Sequence, residues 1–392
     1  MQAFFGKGGH QVSSLCVLYG NIPLISETFI SLQIERLSGE KCVLHHWYPE
    51  YTCEGRTIRY FYSRHPVLRK IERLLPVFLY DRLKARREKS WSTILDFFDG
   101  FFSTHGVDCI LAQYGTNGAD ITPVAKALRI PLVVHFHGHE AHRGETVAAY
   151  RDKYPEMFEY ASSVISVSRT MTAALQSLGA SAEKIVENPY GVRECFFDVK
   201  PDYEDVLISV GRFADIKSPA LTINAFRMAL DVHPNATLLM VGDGPLLECC
   251  RALVRSCGMA ERVQFLGALQ HREFIPLMQR ARAFVQHSVT THCGDSEGTP
   301  NSVLEAQAAG LPVISTRHAG IKEAVVDGCT GLLCDEYDVR GMSRSMIELL
   351  NDKDRAVRMG VDARTHVRAN YSMERYLGTI EGLIEKARHS IR

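Results

Sequence analysis

The feature that most limits what this chain can fold into is a rhythm. Short apolar runs alternate with helical patterns over nearly the whole length. In the first half the runs fall at 12–18, 42–46, 108–111, 132–136, 164–167 and 184–187, with helical patterns between them, for example at 27–37 and 117–128. The second half repeats the rhythm at 206–210, 238–241, 263–266, 283–286, 312–315 and 331–334, and past Glu336 the reading is all helix. Apolar strands separated by helices imply parallel sheets covered on both faces, because every crossover lays a helix on a sheet face. The rhythm breaks near 197–205, where Pro201 and several acidic residues intervene. A chain of 392 residues also exceeds the usual size of one hydrophobic core. The expectation is two Rossmann-like, doubly wound α/β domains, 1–198 and 199–370, followed by a segment 371–392. Open sheets of this kind bind ligands at their strand ends, which places the site in the cleft between the domains.

Charge and cysteine content narrow the function classes. Lys plus Arg equals Asp plus Glu at 45 each, so nothing favours a nucleic-acid partner. The eleven cysteines form no C-x-x-C pair and no dense scaffold, which suits a reducing, cytoplasmic setting. No stretch approaches the roughly 20 apolar residues of a membrane span, and residues 1–10 do not read as a signal peptide. Segment 64–89 carries nine Lys or Arg against three Asp or Glu, interleaved with leucines. That composition predicts a pair of basic helices: either a solvated face over a core stripe, or a peripheral contact with anionic membrane or an anionic, lipid-linked acceptor.

The strongest chemical signal runs from Gly294 through Asp295, Ser296, Glu297, Gly298, Thr299, Pro300, Asn301 and Ser302 to Glu305. Thr299 is a good N-cap and Pro300 a good first helical residue, so a helix should open here with free N–H groups at 301–303 for a phosphate. Glu297 precedes that helix and Glu305 lies about one turn inside it. Two carboxylates bracketing an anion-binding helix start suit a ligand with phosphates at its centre and hydroxyls at both ends, and a nucleotide-sugar is such a molecule. After the strand at 206–210, Gly211 ends the run, and Arg212 and Lys217 occupy the loop above the sheet, where a fork and a point charge can converge on a diphosphate. Gly242 and Gly244 follow the next strand as a tight turn on the nucleotide side, without the third glycine of the dinucleotide fingerprint. His135, His137, His139 and His142 invite a metal assignment, but their spacing does not guarantee three or four convergent ligands, so no metal is assigned. His137 is read either as a cleft-facing substrate contact or as a structural histidine.

With these residues in order, the sequence resembles the retaining GT-B glycosyltransferases of family 4 over nearly the whole chain. The likeness is densest at Gly211, Arg212 and Lys217; at Gly242 to Pro245; at Val263 to Gly267; at Gly294 to Glu305; and at Gly320 to Glu323. Pro23 to Ile34 and His135 to Gly138 are similar to the colanic-acid and amylovoran-type subgroup of exopolysaccharide transferases. The resemblance implies transfer of a hexose from a nucleotide-sugar, with UDP favoured, to an acceptor hydroxyl of a sugar, lipid-linked saccharide or small molecule. It implies a front-face retaining mechanism that needs no metal or other cofactor. Glu297 would contact the donor sugar, Glu305 the ribose, Arg212 and Lys217 the diphosphate, and His137 the sugar site. The last helix would cross back onto the first domain. One departure is the loop 19–26, which has the single Gly20 where many relatives carry a glycine pair. A non-catalytic nucleotide-sugar-binding subunit and an epimerase on the same fold remain as alternatives; a nicotinamide dehydrogenase is weakened by the missing fingerprint.

Overall fold

The computed structural model describes residues 14–20, 28–47, 50–53, 56–59 and 77–390. Among the described residues fourteen strands form two sheets. The first holds β1 (Ser14–Tyr19), β2 (Glu40–Trp47), β3 (Glu50–Cys53), β4 (Arg56–Arg59), β5 (Val107–Gln113), β6 (Leu132–His135), β7 (Ser163–Ser166) and β8 (Ile185–Glu187). Their spatial order is β4-β3-β2-β1-β5-β6-β7-β8. The second holds β9 (Val206–Val210), β10 (Thr237–Val241), β11 (Val263–Gly267), β12 (Ala283–Val285), β13 (Val313–Thr316) and β14 (Gly331–Cys334). Its order is β11-β10-β9-β12-β13-β14, the 3-2-1-4-5-6 arrangement of the Rossmann fold. The strands read as unbroken apolar runs because both faces are covered: Val17, Leu18, Ile110, Leu111, Val133 and Val134 are all fully buried.

One expectation needs correction. The first sheet is not purely parallel, since β3 and β4 pair antiparallel beyond β2. They escaped the sequence reading because they are four residues long and largely polar (Glu50, Thr52, Arg56, Thr57), whereas a search for apolar runs finds only strands buried on both faces. The expected pair of basic helices in 64–89 falls mostly outside the described residues. A single helix runs from Val77 to His105, and residues 64–76, with the side chains of 77–90, lie outside the described residues. The loop with the single glycine, from 21 onward, lies outside them too.

The chain's last helix, Met373–His389, leaves the second domain and packs on β5 and β6 of the first. Ser372 caps it, its Oγ accepting from the Arg375 N–H at 3.2 Å. Tyr376, Ile380, Leu383 and Ile384 recur on one face and are buried. Arg375 donates to Asn188 Oδ1 and to the Pro189 carbonyl, Asn188 Nδ2 donates to the Tyr376 carbonyl, and Arg388 pairs with Asp108 at 2.9 Å. Gly191 is glycine because this crossing is close: a Cβ there would stand 2.6 Å from Met373 Cα.

Candidate functional site

In the second sheet the strand order reverses between β9 and β12, so the loops after these two strands meet above the gap. The loop after β9 carries Gly211, Arg212 and Lys217. It lies against the β10 turn at a distance only glycines tolerate: Gly242 and Gly244 sit at φ 140° and 151°, and a Cβ on them would stand 1.9 Å from the Gly211 oxygen and 2.5 Å from the Phe213 oxygen. The glycine pair therefore sets the height of the β9 loop. Ser218, in the left-handed region at φ 36°, turns the chain into the helix Pro219–Leu230.

The loop after β12 descends to the helix Asn301–Ala308. Here the expected helix start shifts by one residue. Pro300 stands at the cap with no side-chain cap bond, and Thr299 does not cap at all. Its hydroxyl instead donates to the Val167 carbonyl of the first domain at 2.9 Å. The Val303 N–H is taken by the Pro300 carbonyl at 3.1 Å, which leaves Asn301 and Ser302 as the open amides of this helix among the described residues. The Ser302 hydroxyl points to Gln286 Oε1.

Lys217 and Glu297, eighty residues apart, meet at 2.8 Å between Nζ and Oε1, both largely buried. Arg212 is exposed on the same loop, with no side-chain partner among the described residues. Glu305 is buried and accepts from, or pairs with, His271 Nε2 at 3.1 Å. It lines a cavity between the domains together with Asn301, Arg193, Phe29 and Leu32.

The first domain contributes the end of β6. Gln113 turns its amide N–H to Gln33 Oε1 and hence its oxygen to His137 Nε2 at 2.9 Å. Nε2 therefore carries the ring proton, and Nδ1 accepts from the Tyr190 hydroxyl at 2.7 Å. Burial, with His135 and His139 alongside, holds the His137 pKa well below the usual imidazole value, so the ring is neutral. Both ring nitrogens are thus committed inside the protein, and neither is free for a substrate. What His137 turns to the second domain is its backbone, since a Cβ on Gly298 would come within 2.8 Å of the His137 oxygen. Glu140, fully buried, fixes that backbone by accepting from the N–H groups of His137 and Gly138.

Sequence reasoning missed four participants. Tyr190 and Gln113 complete the His137 bonds, His271 holds Glu305, and His318 accepts the Glu297 backbone N–H at 3.1 Å. None sits within a recognisable spacing of its partner, so only the fold could bring them together. Among the described residues no group of three or more His, Cys, Asp or Glu is placed to hold a metal ion.

Two family models match the chain: a glycosyl transferase 4-like domain over residues 44–191 and glycosyl transferases group 1 over residues 194–366. The chain belongs to the GT-B glycosyltransferases. This transferase is 27% identical over 271 residues to WcaL of Escherichia coli, assigned to colanic acid biosynthesis as a glycosyltransferase, with 67% of either chain covered. It is 32% identical over 218 residues to a GDP-mannose-dependent monoacylated phosphatidylinositol monomannoside mannosyltransferase of Corynebacterium glutamicum, which covers 55% of this chain and 53% of the relative. Among solved structures, HepE of Anabaena, in complex with UDP and glucose, shares the fold at a TM-score of 0.69 and 16% identity, covering 97% of the transferase and all of that chain. No described helix of the transferase is long and apolar enough to cross a membrane.

Proposed function

We propose that this glycosyltransferase moves a hexose from a nucleoside-diphosphate donor, UDP-hexose in the first instance, to an acceptor hydroxyl with retention of configuration, in the assembly of an exopolysaccharide or glycoconjugate. The observation that carries the reading is the Lys217–Glu297 pair above the strand-order reversal, beside the open amides of Asn301 and Ser302. Without a ligand the two side chains neutralise each other. A bound donor exchanges both partners: its diphosphate takes Lys217, Arg212 and the helix amides, and a sugar hydroxyl takes the Glu297 carboxylate. Two cations and a helix start then offset the charge that develops on the leaving diphosphate, which is the part a divalent ion plays in other transferases. Glu305 at the cavity between the domains is placed for the ribose, and exchanges His271 for it. His137 acts as a rigid wall of the sugar site, held by Gln113 and Tyr190. In a front-face reaction the departing phosphate oxygen accepts the acceptor's proton as the new glycosidic bond forms.

The relatives support a sugar-nucleotide donor while differing in the base, since HepE was solved with UDP and the corynebacterial enzyme depends on GDP-mannose. The acceptor side falls to the first domain, 1–198 in our division. An acceptor carried on an anionic lipid would give the basic segment 64–89 a role at a membrane surface.

The reading is tested by thermal unfolding with UDP, GDP, ADP and NAD, each with and without EDTA. A ligand at about 100 times its Kd adds roughly 2.7 kcal/mol to the native state. One nucleoside diphosphate should shift the midpoint, unaffected by EDTA, and its hexose conjugate should be turned over. Glu297→Gln should then keep nucleotide binding within a few-fold and lose at least about 100-fold in transfer. A shift with NAD alone, or full turnover by Glu297→Gln, would overturn it.

A further inference from the structure

We infer that His318, braced by Glu336, is the positioning residue for Glu297, an inference that rests on Glu297 being the residue that meets the donor sugar. Glu297 stands in a loop of fifteen residues between β12 and the next helix, with no regular backbone ladder to hold it. Something must fix its carboxylate opposite Lys217, and the described contacts identify it. The Glu297 backbone N–H donates to His318 Nε2 at 3.1 Å, and the Ser296 hydroxyl approaches the same nitrogen at 3.4 Å. An N–H needs a lone pair, so the proton of the neutral ring is on Nδ1. Nδ1 faces Glu336 Oε1 at 2.6 Å and donates to it. Glu336 in turn accepts from the Thr290 N–H at 2.8 Å and from the Thr290 hydroxyl at 3.3 Å.

These bonds form one brace. Thr290 lies in the first third of the loop and Glu297 toward its helix end, and both are tied to a carboxylate–imidazole pair rooted in other elements. His318 follows β13 and is 1% exposed, and Glu336 follows β14. Ala319, next to His318, is held at φ 38°, a conformation unfavourable for alanine. The bonds that His318 and Thr290 donate to the Glu336 carboxylate outweigh its burial and keep its pKa below the usual carboxylate value, which maintains the acceptor the imidazole requires. The pair works with one polarity only: Glu336 fixes the ring tautomer, the tautomer presents a lone pair to Glu297, and the Glu297 side chain is left free for Lys217 and the donor.

The test compares His318→Phe, which keeps the ring and removes the acceptor, with His318→Gln, whose amide oxygen can take the place of Nε2. Hydrogen–deuterium exchange of the peptide spanning 290–299 reads the brace without reference to activity. His318→Phe should speed exchange there while other peptides keep their protection, and His318→Gln should restore most of it. In transfer assays His318→Phe should lower kcat about 10- to 100-fold with nucleotide affinity within about three-fold, and His318→Gln should recover about ten-fold. Unchanged exchange in His318→Phe, or equal kcat losses in the two variants, would overturn the inference. So would an affinity loss as large as the kcat loss. If exchange responds as expected while the wild-type enzyme transfers from no nucleotide-sugar, the brace stands and the proposed function falls.

Discussion

Gly298 has no room for a side chain, since a Cβ would lie 2.7 Å from Val167 Cγ2 as well as against the His137 backbone. Gly320 is held from the other side, its N–H donating to the Gly298 carbonyl at 3.0 Å. The loop that carries Glu297 is thus pressed between its own domain and the neighbouring one, and its glycine is a spacing device. Gly298→Ala should push the loop off the first domain and cut kcat/KM by at least about ten-fold, because displacements near 1 Å are enough for such losses. Steady-state kinetics with donor and acceptor would show it, and unchanged kcat/KM would mean the contact is dispensable. Legibility differs residue by residue. Glu297 and Lys217 could be read from composition and position, because charged groups beside strand ends carry a functional prior. His318, His271 and Tyr190 could not, because a histidine or tyrosine in a loop has no pattern that names its partner. Thr299 reads as a cap in the sequence because capping is the commonest use of such a threonine, but the carbonyl of Val167, far away in sequence, takes its hydroxyl.

At the scale of elements, the two domains share a helix cap. The helix Arg169–Ser177 of the first domain starts at Ser168, whose Oγ accepts from the Met171 N–H. Its remaining early amides, at Arg169 and Thr170, donate to the Glu323 carboxylate of the second domain at 2.8 and 3.0 Å. A negative side chain at a positive helix end, with two N–H bonds, suits both the capping and the dipole terms. The Tyr371 hydroxyl donates to the Glu323 carbonyl, tying the approach to the last helix into the same point. Glu323→Ala should destabilise the native state by about 1–2 kcal/mol, the usual cost of a lost cap at a partly buried end. Urea unfolding measures it, and a loss below about 0.3 kcal/mol, the low end of such terms, would show that the cap contributes little. Most elements were legible because strands buried on both faces are apolar throughout. Those missed, β3 and β4, close one end of the first sheet, with β4 at its edge, and are too short and too polar to register as apolar runs.

The whole molecule carries several imidazoles that must stay neutral. Burial lowers the His135 pKa to about 3 and that of His287 to about 4, and it holds His137 well below its usual value. Above pH 6.5 these rings are neutral in both folded and unfolded chains and contribute nothing. As pH falls below 6.5 the unfolded chain gains protons that the folded one refuses, so stability declines steadily toward the folded values. At pH 5 His135 and His287 each cost about 2 kcal/mol relative to pH 7. Denaturant midpoints at pH 7 and pH 5 should therefore differ clearly, and His135→Leu should narrow the gap. Equal midpoints at the two pH values would show that the buried rings do not govern acid stability. The two-domain architecture was readable from the strand rhythm alone, whereas the way the domains meet was not, because it rests on single backbone contacts such as that of the Gly144 N–H with the Cys293 carbonyl.

The return of the last helix to the first domain also has a consequence in time. A ribosome delivers β5 and β6 early, yet the helix that covers them, Met373–His389, is made only after the second domain. For the whole synthesis of the second domain and the helix that follows it, roughly ten to forty seconds at about 5–20 residues per second, the nascent first domain lacks part of its roof. Its apolar strands are then available to chaperones, or to other nascent chains, and the domain made first is the one completed last.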